Sequence, residues 1–149
     1  MVRWVVVLVP EATAVAEEYL AGVQSDLAAF GGVDVGRIEP LRKSKDFAIA
    51  AFDAVAVLLA RRYHAGELDY ETADWIANAI DTDMLELMIQ LQPGASTIDT
   101  PQAWQEVYDA FDAGEFDHFG RSEDSVREFT NPEIEAFLAR IDAQDRSLR

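Results

Sequence analysis

The chain has 149 residues, half of them hydrophobic, with no cysteine and a formal net charge of −16 at pH 7 from 28 acidic and 12 basic side chains. Length and apolar content fit one folded domain rather than a disordered chain. The lack of cysteine excludes disulfides, thiolate zinc sites and a cysteine nucleophile, and fits a reducing, cytoplasmic setting. The acidic excess argues against nucleic acid as a direct ligand, because phosphate contacts need clustered Lys and Arg.

Val2–Val9 is β-branched and nearly continuous in apolar character, and reads either as a buried strand or as the start of a buried helix. It falls short of the roughly 20 apolar residues a membrane span needs. Pro10-Glu11 also interrupts it before the usual length of a signal-peptide core, so structural use is expected. Pro10 suits the first turn of a helix, and Val15, Tyr19, Val23, Leu27 and Phe30 continue it at helical spacing until Gly31-Gly32. Residues 33–43 read as a connection, within which Val33–Ile38 is a weak strand candidate.

A second helix is predicted over 44–65. Phe47, Ala51, Val55, Leu58 and Leu59 form its apolar face, Phe52 and Val57 broaden it, and Gly66 ends it. That breadth makes it the central helix. Asp69 is placed to cap the next helix, 70–91, across a link short enough for an αα-hairpin. Its stripe is Ala73, Ile76, Ala77, Ile80, Met84, Leu87, Met88 and Leu91. A fourth helix is predicted over 101–113, capped by Thr100 with Pro101 in its first turn, and buried through Trp104, Val107, Tyr108 and Phe111. Residues 115–129 read as an ordered loop with at most a helical turn. A last helix over 132–142 is opened by Thr130 or Asn131, with Thr130 and Glu133 at capping-box spacing. The tail from Gln144 is expected to fray. The fold class is mainly α: one single-domain bundle of about five helices, with a minor two-stranded element near the N-terminus left open.

The charge is uneven. Residues 1–62 carry 8 acidic and 7 basic side chains, whereas residues 63–120 carry 13 acidic side chains and no Lys or Arg. A solvated acidic surface that resists aggregation explains this stretch, and so does steering of a cationic partner onto one face, whereas salt adaptation would spread the acid over the whole chain.

Catalytic signatures are absent. The only histidines are His64 and His118, and no G-x-S-x-G, phosphate-cradling glycine loop, EF-hand or H-E-x-x-H pattern occurs. His64 reads as a dipole partner at a helix C-terminus. Asp109, Asp112, Glu115, Asp117 and His118 lie close together and have the oxygen-rich chemistry of a calcium or magnesium site, but a solvated acidic face explains the same residues. No catalytic residue, cofactor or metal ligand is therefore assigned.

The acidic face itself breaks local rules. Glu106, Asp109 and Asp112 recur every third residue, so they repel one another, and Glu115 and Asp117 extend the negative charge past a helix C-terminus. Such conflicts are expected where function selects residues. Trp75 lies well off the apolar stripe, on the charged side among Glu71 and Asp74, and fits an interface anchor. The expected partner-binding residues are Glu71, Asp74, Trp75, Glu106, Asp109, Asp112, Glu115 and Asp117.

Two stretches, Leu58–Trp75 (LLARRYHAGELDYETADW) and Tyr108–His118 (YDAFDAGEFDH), together resemble small helical immunity proteins encoded beside bacterial secreted toxins of polymorphic or contact-dependent systems. The resemblance covers under half the chain and carries over no site residues. It implies a cytoplasmic, non-enzymatic acidic protein that blocks a basic toxin domain, by mimicking nucleic acid charge or covering a basic cleft. The alternatives are a helical adaptor or homo-oligomeric subunit using an apolar face, and a small enzyme with an acidic divalent-metal site.

Overall fold

A computed structural model describes residues 5–6, 8–30 and 35–147 of the chain. Among these residues there are five α-helices and no strand. They are α1 (Pro10–Phe30), α2 (Lys45–His64), α3 (Tyr70–Leu91), α4 (Gln102–Asp112) and α5 (Asn131–Ser147). None is long and apolar enough to cross a membrane.

The central position of α2 follows from its composition. It packs against α1, α3, α4 and α5. Five of its buried residues, Ala48, Ala51, Ala54, Ala56 and Ala60, are alanines, so neighbouring helices can approach from several sides. Phe52, Val55, Val57 and Leu59 fill the space between them. Burial of each such large side chain contributes about 1.5–3 kcal/mol. Trp104 and Phe111 of α4 and Phe137 of α5 complete the core, with Tyr63 meeting Phe111 edge-on at 5.1 Å between ring centroids.

The α2–α3 hairpin forms as its residues dictate. Gly66, at φ +80°, takes the left-handed turn after α2, where the N–H of Glu67 returns to the carbonyl of Arg62 at 3.0 Å. The Asp69 carboxylate accepts the Thr72 N–H at 2.8 Å and caps α3.

Elsewhere the structure corrects the expected ends. Of the strand candidates, residues 5–6 and 8–9 form no regular element, and the rest of Val2–Val9 lies outside the described residues. In the second candidate, residues 33–34 also lie outside them, and Val35–Leu41 is a 3-10 helix. Thr100 does not cap α4. Pro101 occupies the cap position and offers no side-chain bond, and the Asp53 carboxylate from α2 serves instead. Nor does Thr130 form a capping box. A π-turn, Val126–Thr130, runs straight into α5, and the buried Thr130 hydroxyl donates to the Ala110 carbonyl at 2.7 Å. The tail beyond Gln144 stays helical to Ser147, with the Gln144 side chain accepting the Val6 N–H at 3.3 Å.

Candidate functional site

The α2–α3 turn and the end of α4 bring one group of carboxylates together. On α3, Asp74, Asn78 and Asp81 are separated by four and three residues and share one flank. On α4 and just beyond it, Tyr108, Asp112 and Glu115 face them. The Tyr108 hydroxyl donates to Asn78 Oδ1 at 3.3 Å, while Asn78 Nδ2 donates to Glu115 Oε1 at 3.2 Å. Asp74 and Asp112 both lie within hydrogen-bonding reach of Glu115.

Three carboxyls so close cannot all ionise freely. Partial burial, then the hydrogen bond and charge of Glu115, push Asp74 up to about 7. The hydrogen bond from Asp74 holds Glu115 below the usual carboxylate range. Below about pH 7 the opposed shifts therefore favour a proton on Asp74 donated to an ionised Glu115, with Asp112 raised chiefly by its own hydrogen bond to Glu115. No Lys or Arg forms an ion pair with these three among the described residues.

Local packing fixes the site. Gly114 leaves no room for a side chain: a Cβ there would meet Thr130 Oγ1 at 2.5 Å and the Tyr70 hydroxyl at 2.7 Å. Tyr70 at the start of α3 donates to the Phe111 carbonyl at 2.6 Å, clamping that end of α4 beside Asp74. His118 stacks on Phe116 and Phe129, with centroids at 4.1 and 3.8 Å, and its Nε2 donates to the Ala113 carbonyl at 2.8 Å. His118 thus closes the end of α4. His64 is exposed in the last turn of α2.

The residues singled out in the sequence divide into groups. Asp74, Asp112 and Glu115 converge, and Trp75, 51% exposed, stands beside them on α3 with Glu71 one turn earlier. Glu106 goes elsewhere and pairs with Arg140 of α5. Asp109 is exposed and accepts from Gln105 at 3.0 Å. A three-residue step falls about 60° short of a full helical turn, so Glu106 and Asp112 diverge by about 120° around α4 and do not share a face. Asp117 is exposed in the loop after α4.

The thirteen acids of the middle segment do not form a single field. Asp83 is buried against Arg37, Asp99 meets Lys45 at 2.7 Å, and Glu106 meets Arg140. Among the described residues no group of three or more His, Asp or Glu side chains has an arrangement that could hold a metal ion.

Sequence reasoning missed Asn78 and Tyr108 as the tethers of the cluster, since ordinary helix-face residues carry no signal of a cross-helix partner. It also missed Asp53, whose signal was legible: a lone acid within the otherwise apolar run Ala48–Leu59 needs a buried donor. No family model, curated protein or solved structure matches the chain.

Proposed function

We propose that this chain is a non-enzymatic binding protein that neutralises a basic protein partner, acting in the bacterial cytoplasm as an immunity protein that blocks a toxin domain. The observation that carries this reading is the convergence of Asp74, Asp112 and Glu115, tied together through Asn78 and without a Lys or Arg ion-pair partner among the described residues. A cation arriving from another protein would replace the proton on Asp74 and relieve the repulsion. The exposed ring of Trp75 beside the cluster offers apolar contact area and a face for a guanidinium or ammonium group.

The remaining unpaired acids nearby, including Glu71 and Asp109, would add long-range attraction and speed capture. The immunity assignment itself rests on the resemblance of the two sequence stretches.

The test is to express the product of each adjacent gene with and without this protein, and to measure survival and complex formation at low and high salt. The expected result is rescue from one toxic product, with a complex that weakens as salt rises and weakens further with Glu115→Gln. No neighbour toxic in its absence, or a complex indifferent to salt and to Glu115, would overturn the reading.

A further inference from the structure

Besides its core face, α3 carries three large apolar residues on its outer side. The core face is formed by Ala73, Ile76, Ala77, Ile80, Met84, Leu87 and Met88. Trp75, Thr82 and Ile89 recur at seven-residue intervals, and Leu85 falls three residues after Thr82. Trp75, Leu85 and Ile89 are 51%, 46% and 57% exposed. At about 1.5 Å per residue this seam runs roughly 21 Å along the helix.

Seven-residue spacing, with Leu85 stepped between Thr82 and Ile89, is the pattern that a second helix reads, whereas a strand would need a repeat of two. The flanks of the seam have one sign. Glu71, Asp74, Asp81 and Glu86 border it, and α3 contains no Lys or Arg. A second copy of the same seam would place carboxylates against carboxylates. A partner helix with apolar residues on one seam and Lys or Arg on its flanks would satisfy both the apolar spacing and the charge.

We infer that the outer face of α3 is a docking surface for a basic amphipathic helix of a partner protein, seated along Trp75, Thr82, Leu85 and Ile89. This deepens the reading of a basic partner and rests on it, adding the element that is recognised and its register. The charge cluster near Trp75 supplies attraction at one end of the seam, and the Leu85–Ile89 end supplies apolar area.

The experiment uses the full chain and two synthetic helical peptides about three heptads long with equal positive charge, one with a leucine seam and one with alanine in its place. Binding is measured by calorimetry and by tryptophan emission, with Trp75→Phe assigning the signal. The leucine peptide is expected to bind at least about tenfold more tightly than the alanine peptide, with a blue shift lost in Trp75→Phe. The double variant Leu85→Ser with Ile89→Ser is expected to remove that tenfold preference while keeping the unfolding midpoint and helical content of the parent.

Equal binding of both peptides would overturn the docking surface and leave the electrostatic reading intact. Binding of neither would overturn both. A leucine preference that survives the double variant would place the contact elsewhere and sink the inference. A concentration-dependent dimer abolished by the double variant would make the occupant a second copy, and would equally overturn it.

Discussion

The carboxylate of Asp53, midway along α2, accepts the backbone N–H of Trp104 at 3.3 Å and that of Ala103 at 3.0 Å. The first turn of α4 is therefore capped by a residue about fifty positions upstream, and the cap doubles as a tie between the two helices. Its acceptor sits where Pro101 provides none.

Asp53→Ala removes the acceptor and leaves two donors at a partly buried helix end. A loss of about 1–3 kcal/mol is expected, read as a lower urea midpoint at unchanged slope. A loss below about 0.5 kcal/mol would show that water replaces the cap.

Burial pushes Asp53 up to about 6, partly offset by the N–H bonds of Trp104 and Ala103. Because the folded value lies above the usual carboxylate value, the contribution of the group to stability is full below about pH 4. It is lost as pH climbs through about 6. Asp53→Asn keeps an acceptor of the same shape without the charge. The variant is expected to match the parent at about pH 4.5 and to exceed it in melting temperature at pH 8. Parallel pH profiles for the two proteins would contradict the assignment.

Asp74 gives the opposite sign of dependence for a different property. Its carboxyl, held at about 7 by partial burial and by Glu115, keeps a proton that a bound cation would expel. Affinity for a lysine-rich peptide is therefore expected to rise between about pH 6 and 8, with proton release visible as a dependence of binding heat on buffer ionisation. Asp74→Asn should flatten that rise. A rise that persists unchanged in the variant would assign the proton to another group.

The elements themselves were largely legible in the sequence. The stripe from Ala73 to Leu91, the Asp69 cap and the Gly66 stop are local signals, and each forms where the pattern puts it. The corrections concern residues whose partners are distant. Thr100 and Thr130 have good capping chemistry, but Asp53 and the Ala110 carbonyl decide their surroundings. The candidate site was half legible for the same reason. The spacing of the acids picked out Asp74, Asp112 and Glu115 but could not separate them from Glu106, nor could the charge count of the segment set aside Asp83. That separation depends on where Arg140 and Arg37 fold back.

Gly114 tests the packing that positions Glu115. A side chain there collides with Thr130 and with Tyr70, both engaged in hydrogen bonds to α4 carbonyls. Gly114→Ala must therefore displace one of those contacts, with an expected loss of about 1–3 kcal/mol. Tyr70→Phe combined with Gly114→Ala removes one of the two clashing hydroxyls. It should recover part of the loss if steric crowding is the cause, and add to it if the glycine matters only through backbone freedom.

The buried charge group between α1, the 3-10 helix and α3 makes the largest prediction. The Tyr19 hydroxyl donates to Asp83 Oδ2 at 2.6 Å, and the Arg37 guanidinium donates to the same oxygen at 3.1 Å while its other terminal nitrogen reaches Asp26. The side chains of Arg37 and Asp83 are only 7% and 4% exposed, so neither charge can turn to water for solvation. Burial, followed by the charge of Asp83, raises the Tyr19 hydroxyl well above its usual value, which keeps it a donor throughout the accessible pH range. Arg37→Met would leave Asp83 buried with the Tyr19 hydroxyl as its main partner, and such uncompensated charges typically cost about 3–5 kcal/mol. Asp83→Asn added to Arg37→Met removes the stranded charge and should recover much of that loss, although the single Asp83→Asn change weakens the parent. A pair of changes whose effects simply add would show that Arg37 and Asp83 contribute by packing alone, and that the charges are solvated after all.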